Sequence, residues 1–369
     1  MKIIISTNTT WNIYNFRLSL IQDLLENGHE ILAVAPRDGY VDKLEELGVK
    51  CYHVNLNPKG TNPITDLNLV YQYSKLFRLI KPDLILSYTI KPNIYGNIAA
   101  SLLRIPTINN ISGLGTIFIK NSIATYIGKF LYKLSLFSSY HVFFQNNDDK
   151  SLFTKNKLVT KKRSSVIQGS GVDINRFNFT RTKNNADKFL FLGRLISDKG
   201  IFEYLDAAVT VLEKYPNKEF LLVGEIGSNN KTALTLKELN HYMNNYPQIK
   251  YLGKIDNVID LLQSVDVMIL PSYREGLSKS LIEAASMNLP IITTNVPGCK
   301  DVVEDGFNGL LCEVRSKFSL EKAILKMIDL KEEDRLQFGL NGRKKVINRF
   351  STDIVNKIYL DKINEIINT

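Results

Sequence analysis

Short apolar runs alternate with helical patterns along the whole chain, and this alternation restricts the fold more than any other feature. Strands are predicted at Lys2–Ser6, Glu30–Ala35, Cys51–Asn55, Asp83–Ser87, Thr107–Ile111 and His141–Gln145. A second series follows at Phe189–Gly193, Phe220–Gly224, Lys250–Leu252, Val267–Leu270 and Ile291–Thr294. Helical patterns fall between them, including Phe16–Glu26, Asp66–Ile80 and Phe202–Lys214. Strands that are apolar throughout are buried on both faces, so the pattern implies parallel sheets covered by helices.

Between the two series lies Gln168 to Asn185, QGSGVDINRFNFTRTKNN, which has glycines and charges but little apolar periodicity. It is expected to join two domains, 1–170 and 171–350, and 369 residues are more than one hydrophobic core usually organises. The last stretch, 351–369, reads as one more amphipathic helix, placed by this reasoning at the interdomain junction. Neither a repeat of solenoid period nor a low-complexity segment is visible.

The formal net charge of +10 favours anionic partners: nucleotide diphosphates, nucleic acid or an anionic membrane surface. A merely Lys-rich soluble surface accounts for it equally well. Cys51, Cys299 and Cys312 show no pairing pattern, which fits a reducing compartment, and His29, His53, His141 and His241 are too scattered for a zinc site. No stretch reaches the ~20 apolar residues of a membrane span, and the first apolar run is too short for a signal peptide. A cytoplasmic protein is expected, with any membrane contact peripheral, at the inner face of the cell membrane.

The segment PSYREGLSKSLIEA, Pro271 to Ala284, follows an apolar strand and leads into a helix. It therefore sits at the carboxyl end of a strand, where open α/β sheets bind ligands. Gly276-Leu277-Ser278 lets backbone approach a ligand, and the helix start offers N–H groups to a phosphate. Glu283, in the first turns, can accept hydrogen bonds from a ribose diol. Two glutamates near a helix start are also what the macrodipole alone would favour. The strand Phe189–Gly193 shifts that balance, because it ends in GRLISDKG. Arg194 and Lys199 on a glycine-bearing loop suit a diphosphate: one bidentate fork and one mobile point charge.

Gly193-Arg194…Lys199-Gly200 with Glu275 and Glu283 resembles the hallmark of family 4 glycosyltransferases, retaining enzymes of the GT-B fold. NGHEI, GSGVD and VGEIG also fit, so the resemblance covers nearly the whole chain. It implies an α/β architecture of two Rossmann-like domains whose parallel sheets face a central cleft. It further implies that Arg194 and Lys199 hold the donor diphosphate of a UDP-sugar and that Glu283 holds the ribose. Glu275, with Gly276, Leu277 and Ser278, would line the sugar pocket, and the base would lie near Gly253, Lys254 and Ile255.

In the N-terminal half, NIYNFR, TIKPNIYG and NNISGLG resemble the bacterial branch that builds capsule, O-antigen and N-linked glycans, often on undecaprenyl diphosphate. That resemblance implies a lipid-linked saccharide acceptor, a hexose or N-acetylhexosamine as the transferred sugar, and acceptor contacts at Asn15, Arg17, Asn93, Gly113 and Gly115. Lys91 would meet the leaving or the acceptor diphosphate and so join Glu275 as a catalytic residue; a surface lysine before Pro92 is an equal alternative. Two departures stand out. Asn8-Thr9-Thr10-Trp11-Asn12 replaces the usual glycine pair after the first strand, and Tyr88-Thr89-Ile90-Lys91 lacks the usual histidine. Ser278-Lys279 also replaces the usual Pro-Arg, which leaves sugar specificity open.

A front-face retaining transfer needs no protein nucleophile, since the leaving diphosphate can take the acceptor proton while Arg194 and Lys199 stabilise its charge. Neither a metal nor another cofactor is then expected. The pairs Asp148-Asp149 and Glu332-Glu333 read as helix-start and surface charges. From Lys120 to Tyr140, Ile123, Tyr126, Ile127, Phe130, Leu131, Leu134 and Phe137 recur at helical spacing, with Lys120, Lys129 and Lys133 among them. That pattern fits an interfacial helix at a membrane, or a helix buried in the first domain. A nucleotide-sugar epimerase of the same fold is the alternative enzyme; it would be expected to bring more acids and histidines to the cleft. A nucleic-acid-binding role finds no aromatic-basic motif.

Overall fold

The chain divides into two compact units, Met1–Ser170 with Val355–Thr369, and Gly171–Ile354. A computed structural model describes residues 1–57, 62–114, 123–226, 230 and 232–368.

Unit 1 runs β1 (Lys2–Ser6), α1 (Thr10–Glu26), β2 (Glu30–Ala35), α2 (Val41–Glu45), β3 (Lys50–His53), α3 (Pro63–Ile80) and β4 (Leu84–Tyr88). A π-helical turn, Pro92–Gly96, leads into α4 (Asn97–Leu102), then β5 (Thr107–Ile111), α5 (Ile123–Leu136), β6 (His141–Phe144), α6 (Asn147–Lys155) and β7 (Ser164–Val166). The seven strands are parallel, in the order β3-β2-β1-β4-β5-β6-β7. Alternate residues of each strand enter cores on opposite faces. On one face Ile4, Val34 and Ile85 pack with Tyr73 and Phe77 of α3, and Val142 and Phe144 pack with Tyr132 and Leu136 of α5. On the other, Ile3, Ile5, Ala33 and Phe143 pack with Ile13, Leu20 and Leu24 of α1.

Unit 2 runs β8 (Lys188–Leu192), α7 (Ile201–Lys214), β9 (Glu219–Val223), α8 (Leu236–Asn245), β10 (Ile249–Tyr251), α9 (Ile259–Ser264) and β11 (Val267–Leu270). There follow α10 (Lys279–Ser286), β12 (Ile291–Thr294), β13 (Gly309–Cys312), α11 (Lys317–Asp329) and α12 (Glu332–Arg349). Its parallel sheet has the order β10-β9-β8-β11-β12-β13 around a single large core.

The sequence reading finds the strands of both sheets except β7 and β13. Ser164–Val166 is three residues long and starts with two serines, and Gly309–Cys312 opens on a glycine. Nor is the segment 168–185 a free tether. Phe177 is buried in the core of unit 2, and the Asn184 side chain donates to the Asp266 carbonyl at 2.8 Å. The last helix, α13 (Thr352–Ile367), sends Val355, Tyr359 and Ile363 into the core of unit 1 beside Tyr88 and Phe143. Its Tyr359 ring lies 5.1 Å from Phe143, edge to face, and its hydroxyl accepts from Asn110 Nδ2 at 2.8 Å. That helix thus supplies unit 1 with a buried aromatic pair and one buried hydrogen bond.

Candidate active site

In unit 2 the strand order reverses between β8 and β11, so the loops leaving their carboxyl ends diverge and open a crevice. The loop after β8 passes Gly193 and Arg194 and tightens into a 3₁₀ turn, Ser197–Lys199. It then enters α7 through Gly200, whose φ is +74°. A Cβ at Gly200 would stand 2.1 Å from the Pro271 carbonyl oxygen, so only glycine lets this loop lie against the one after β11. The Tyr273 N–H donates to the Asp198 carbonyl at 2.9 Å and ties the same two loops. The β12 loop joins them: the Glu275 N–H donates to the Pro297 carbonyl at 3.1 Å, and a Cβ at Gly298 would lie 2.5 Å from the Glu275 carbonyl.

This framework brings Lys199 and Glu275 together. Lys199 Nζ donates to Glu275 Oε1, with the two side chains only 18% and 12% exposed. A mostly buried ammonium and carboxylate, 76 residues apart, satisfy each other at the switch point. Arg194, on the same loop, is exposed. Gly276 and Ser278 are buried; Ser278 is the N-cap residue of α10 without a side-chain capping bond, its Oγ lying 3.3 Å from Ser280 Oγ. Leu277 and Ile255 pack their half-buried side chains against the core of unit 2. Gly253 follows β10, and its carbonyl accepts from the Gly224 N–H at 2.9 Å.

Glu283 is 12% exposed and lies 3.8 Å from Lys279, one turn earlier on α10. Burial pushes its carboxyl above the ordinary range, and the charges of Lys279 and then Arg176 pull it back. Arg176, in the GSGVDINR stretch, was not singled out from sequence: nothing in its local spacing points to a glutamate 107 residues away. Cys299 is fully buried near the Lys199–Glu275 pair, and burial, with the Glu275 charge adding, pushes its thiol up to about 12, so it stays a neutral thiol.

Unit 1 has its own switch point, between β1 and β4. Past β4, Thr89 takes φ +63°, a strained left-handed conformation for a β-branched residue. Lys91 then pairs with Asp66 of α3 at 2.5 Å, both nearly buried, and Tyr95 donates its hydroxyl to the other Asp66 oxygen at 2.7 Å. Lys91 is therefore a held lysine, which excludes the reading as a solvated surface charge. Asp66 and Tyr95 were not found from sequence, because the pairing crosses from one element to another.

Two of the expected acceptor residues are buried. Arg17 is 4% exposed, its guanidinium 4.0 Å over the Tyr88 ring and its Nη1 donating to the Phe16 carbonyl at 3.2 Å. Asn93 is 1% exposed, donating to the Asn110 carbonyl and accepting from Asn109 Nδ2, both at 2.9 Å. Asn93 thus has its donor and acceptor bonded inside unit 1, whereas the buried Nε of Arg17 has no hydrogen-bond partner among the described residues. Asn15 is half-buried and donates to the Trp11 carbonyl of its own helix at 2.9 Å. Gly113, half-buried, follows β5, and Gly115 lies outside the described residues. At the β1 and β4 ends, the buried oxygens Asn8 Oδ1, Ser87 Oγ and Thr89 Oγ1 have no hydrogen-bond partner among the described residues.

Among the described residues no group of three or more His, Cys, Asp or Glu is placed to hold a metal ion. Asp148 and Asp149 stand in the first turn of α6, and Glu332 and Glu333 in that of α12. No helix of the described residues is long and apolar enough to cross a membrane.

The two units match separate family models. Residues 173–345 match Glycosyl transferases group 1, and residues 2–146 match Glycosyl transferase 4-like. Among curated proteins, the chain is 26% identical to the N,N'-diacetylbacillosaminyl-diphospho-undecaprenol alpha-1,3-N-acetylgalactosaminyltransferase of Campylobacter jejuni, over 96% of each chain. It is 25% identical to the UDP-Gal:alpha-D-GlcNAc-diphosphoundecaprenol alpha-1,3-galactosyltransferase of Escherichia coli, over 94% of this chain and 93% of that one. Among solved structures, Anabaena Alr3699/HepE in complex with UDP-glucose superposes with a TM-score of 0.80 at 18% identity, covering 99% of this chain and 100% of that one. That likeness carries the fold.

Proposed function

The chain belongs to the glycosyltransferases that these two models describe, and from that premise we propose that it moves a hexose or N-acetylhexosamine, with retention, from a UDP-sugar to a lipid-linked saccharide. The observation that supports the reading most is the Lys199–Glu275 pair at the switch point of unit 2, with Arg194 on the same loop. A cation already placed beside a carboxylate can exchange it for the donor diphosphate, while the carboxylate turns to the sugar. Arg194 and Lys199 neutralise the leaving UDP as the anomeric C–O bond breaks. The acceptor oxygen attacks from the face the UDP leaves, and its proton passes to the departing phosphate oxygen. This compensation by cations makes the reaction independent of metal. Glu283 holds the ribose diol.

The names of the Campylobacter and Escherichia relatives support an undecaprenyl-diphosphate-linked acceptor and a role in surface glycan synthesis. Such an acceptor requires the protein to work in peripheral contact with a membrane. A panel of UDP-sugars tests the reading: UDP is released only when a lipid-linked acceptor is added. Interconversion of the donor sugar without UDP release would establish an epimerase instead.

A further inference from the structure

Most of the exposed large apolar side chains of unit 1 lie on or beside two helices, α3 and α5, with Trp11, Leu102 and Ile367 elsewhere. In α5, Tyr126, Ile127, Phe130 and Leu134, with Phe137 just beyond its end, are between 54% and 78% exposed. The opposite side of the same helix, Tyr132, Ser135 and Leu136, is buried against β6 and its neighbours. The helix is therefore apolar on both sides and covered on one only. In α3, Ile64, Leu67 and Tyr71 are 77%, 71% and 63% exposed and fall at i, i+3 and i+7, one ladder down the helix. Lys75 and Arg78, both exposed, continue it. Both helices cover the same face of the sheet, since α3 packs on Ile4, Val34 and Ile85, and α5 on Val142 and Phe144.

The rim of this surface is basic. Arg163 donates to the Phe137 carbonyl at 2.7 Å, which fixes the exposed Lys161 and Lys162 at the carboxyl end of α5. Lys133 is exposed within the stripe, and Lys155 and Lys157 are exposed nearby in sequence. Apolar side chains bordered by cations match the two layers of an anionic bilayer: acyl chains below and phosphates above.

We propose that α3 and α5 together form a bilayer-docking face whose partner is an anionic lipid surface. The proposal rests on the reading above of a membrane-linked acceptor and names the surface that meets the membrane. It also gives Asp66 a second meaning. One residue before the exposed Leu67, Asp66 points inward to hold Lys91, so the helix that meets lipid also positions a cation at the sheet edge.

The test is co-sedimentation with vesicles of phosphatidylglycerol and phosphatidylcholine, against phosphatidylcholine alone, at low and high salt. The wild type should bind the anionic vesicles at low salt and keep part of that binding at high salt. Phe130→Glu with Leu134→Glu, and separately Leu67→Glu, should each weaken binding at least tenfold. Lys161→Glu with Lys162→Glu should abolish its dependence on anionic lipid. All these positions are exposed, and a circular-dichroism spectrum and melting temperature like those of the wild type would show that unit 1 stays folded in the variants. A wild type that stays in the supernatant, or apolar variants that bind unchanged, would overturn the proposal. So would a dimer without lipid that the same apolar substitutions dissociate. Transfer to a short-chain, detergent-soluble diphosphate acceptor separates the two claims. If transfer persists while docking fails, only the surface falls; if the wild type transfers to no lipid acceptor, the functional reading falls.

Discussion

The carboxyl edges of the two sheets share a topology and differ in chemistry. The edge of unit 2 concentrates formal charge: Lys199 against Glu275, Lys279 against Glu283, and Arg194 exposed on the loop that carries Lys199. The edge of unit 1 is mostly neutral, with Asn93, Asn109 and Asn110 bonded to one another and to Tyr359, and unpartnered oxygens on Asn8, Ser87 and Thr89. The ion pair of Lys91 with Asp66 is anchored in the helical layer. The contrast teaches that a strand-order reversal supplies only a crevice, and side-chain chemistry decides what enters it. Paired charges suit a dianionic diphosphate, whereas amides and hydroxyls suit an uncharged polyol.

The sharpest way to break this comparison is to remove a charge from unit 2. Lys199→Ala should weaken UDP binding by about 1.5–3 kcal/mol, roughly 10- to 150-fold, because a phosphate loses a charged partner. It should also lower the melting temperature, since the mostly buried Glu275 carboxylate loses a charged partner. Glu275→Gln should chiefly lower kcat. Calorimetric titration showing unchanged UDP affinity in Lys199→Ala would remove the distinction between the edges.

A smaller effect is expected at the ribose carboxylate. Glu283→Gln should raise the donor KM about tenfold with little change in kcat, as when a ground-state contact is lost. The ionised form is the one that accepts two hydroxyls, and burial has raised this carboxyl. UDP affinity should therefore fall, as pH drops, at a higher pH than an ordinary carboxylate would give. Lys279→Ala removes a charge that favours the ionised form, so its acid loss should begin at a higher pH still. A pH profile of UDP affinity that is the same in both proteins would show that Lys279 does not act on Glu283.

In unit 1 the expected changes are in stability. Thr89→Gly relieves a left-handed strain of about 1–2 kcal/mol, offset in part by the greater freedom of unfolded glycine. Urea unfolding should show a stability equal to or slightly above wild type, and UDP affinity should not change. A drop of several kcal/mol would mean that the threonine side chain is a structural anchor. The smallest expected effect is none: EDTA should leave transfer unaltered, and loss of activity restored by Mg²⁺ or Mn²⁺ would show that the charges of unit 2 do not suffice alone.

The sequence carries the sheet architecture because most of the strands announce themselves in short apolar runs, such as Ile3–Ile5, Ile31–Ala35 and Val267–Leu270. It also carries the residues proposed here for the donor side, since Arg194, Lys199, Glu275 and Glu283 fall within two short loop-to-helix segments at strand ends. What it hides is partnership across elements. That Asp66 holds Lys91, or that Arg176 acts on Glu283, depends on how helices and loops stack, and no local spacing encodes it. The burial of Arg17 and Asn93 is hidden for the same reason. A polar residue beside a strand end looks available until the tyrosine ring or asparagine that occupies it is seen.

The placement of Val355, Tyr359 and Ile363 in the core of unit 1 bears on the order in which the molecule is completed. Those residues leave the ribosome only after the whole of Gly171–Ile354 has been made. At about 5–20 residues per second, that is an interval on the order of 10–40 s. Throughout it, Tyr88 and Phe143 have no covering helix, and the nascent first unit carries an apolar seam open to chaperones or to wrong partners. Unit 2, begun later, holds all its own residues earlier. The unit that starts first is the one that finishes last.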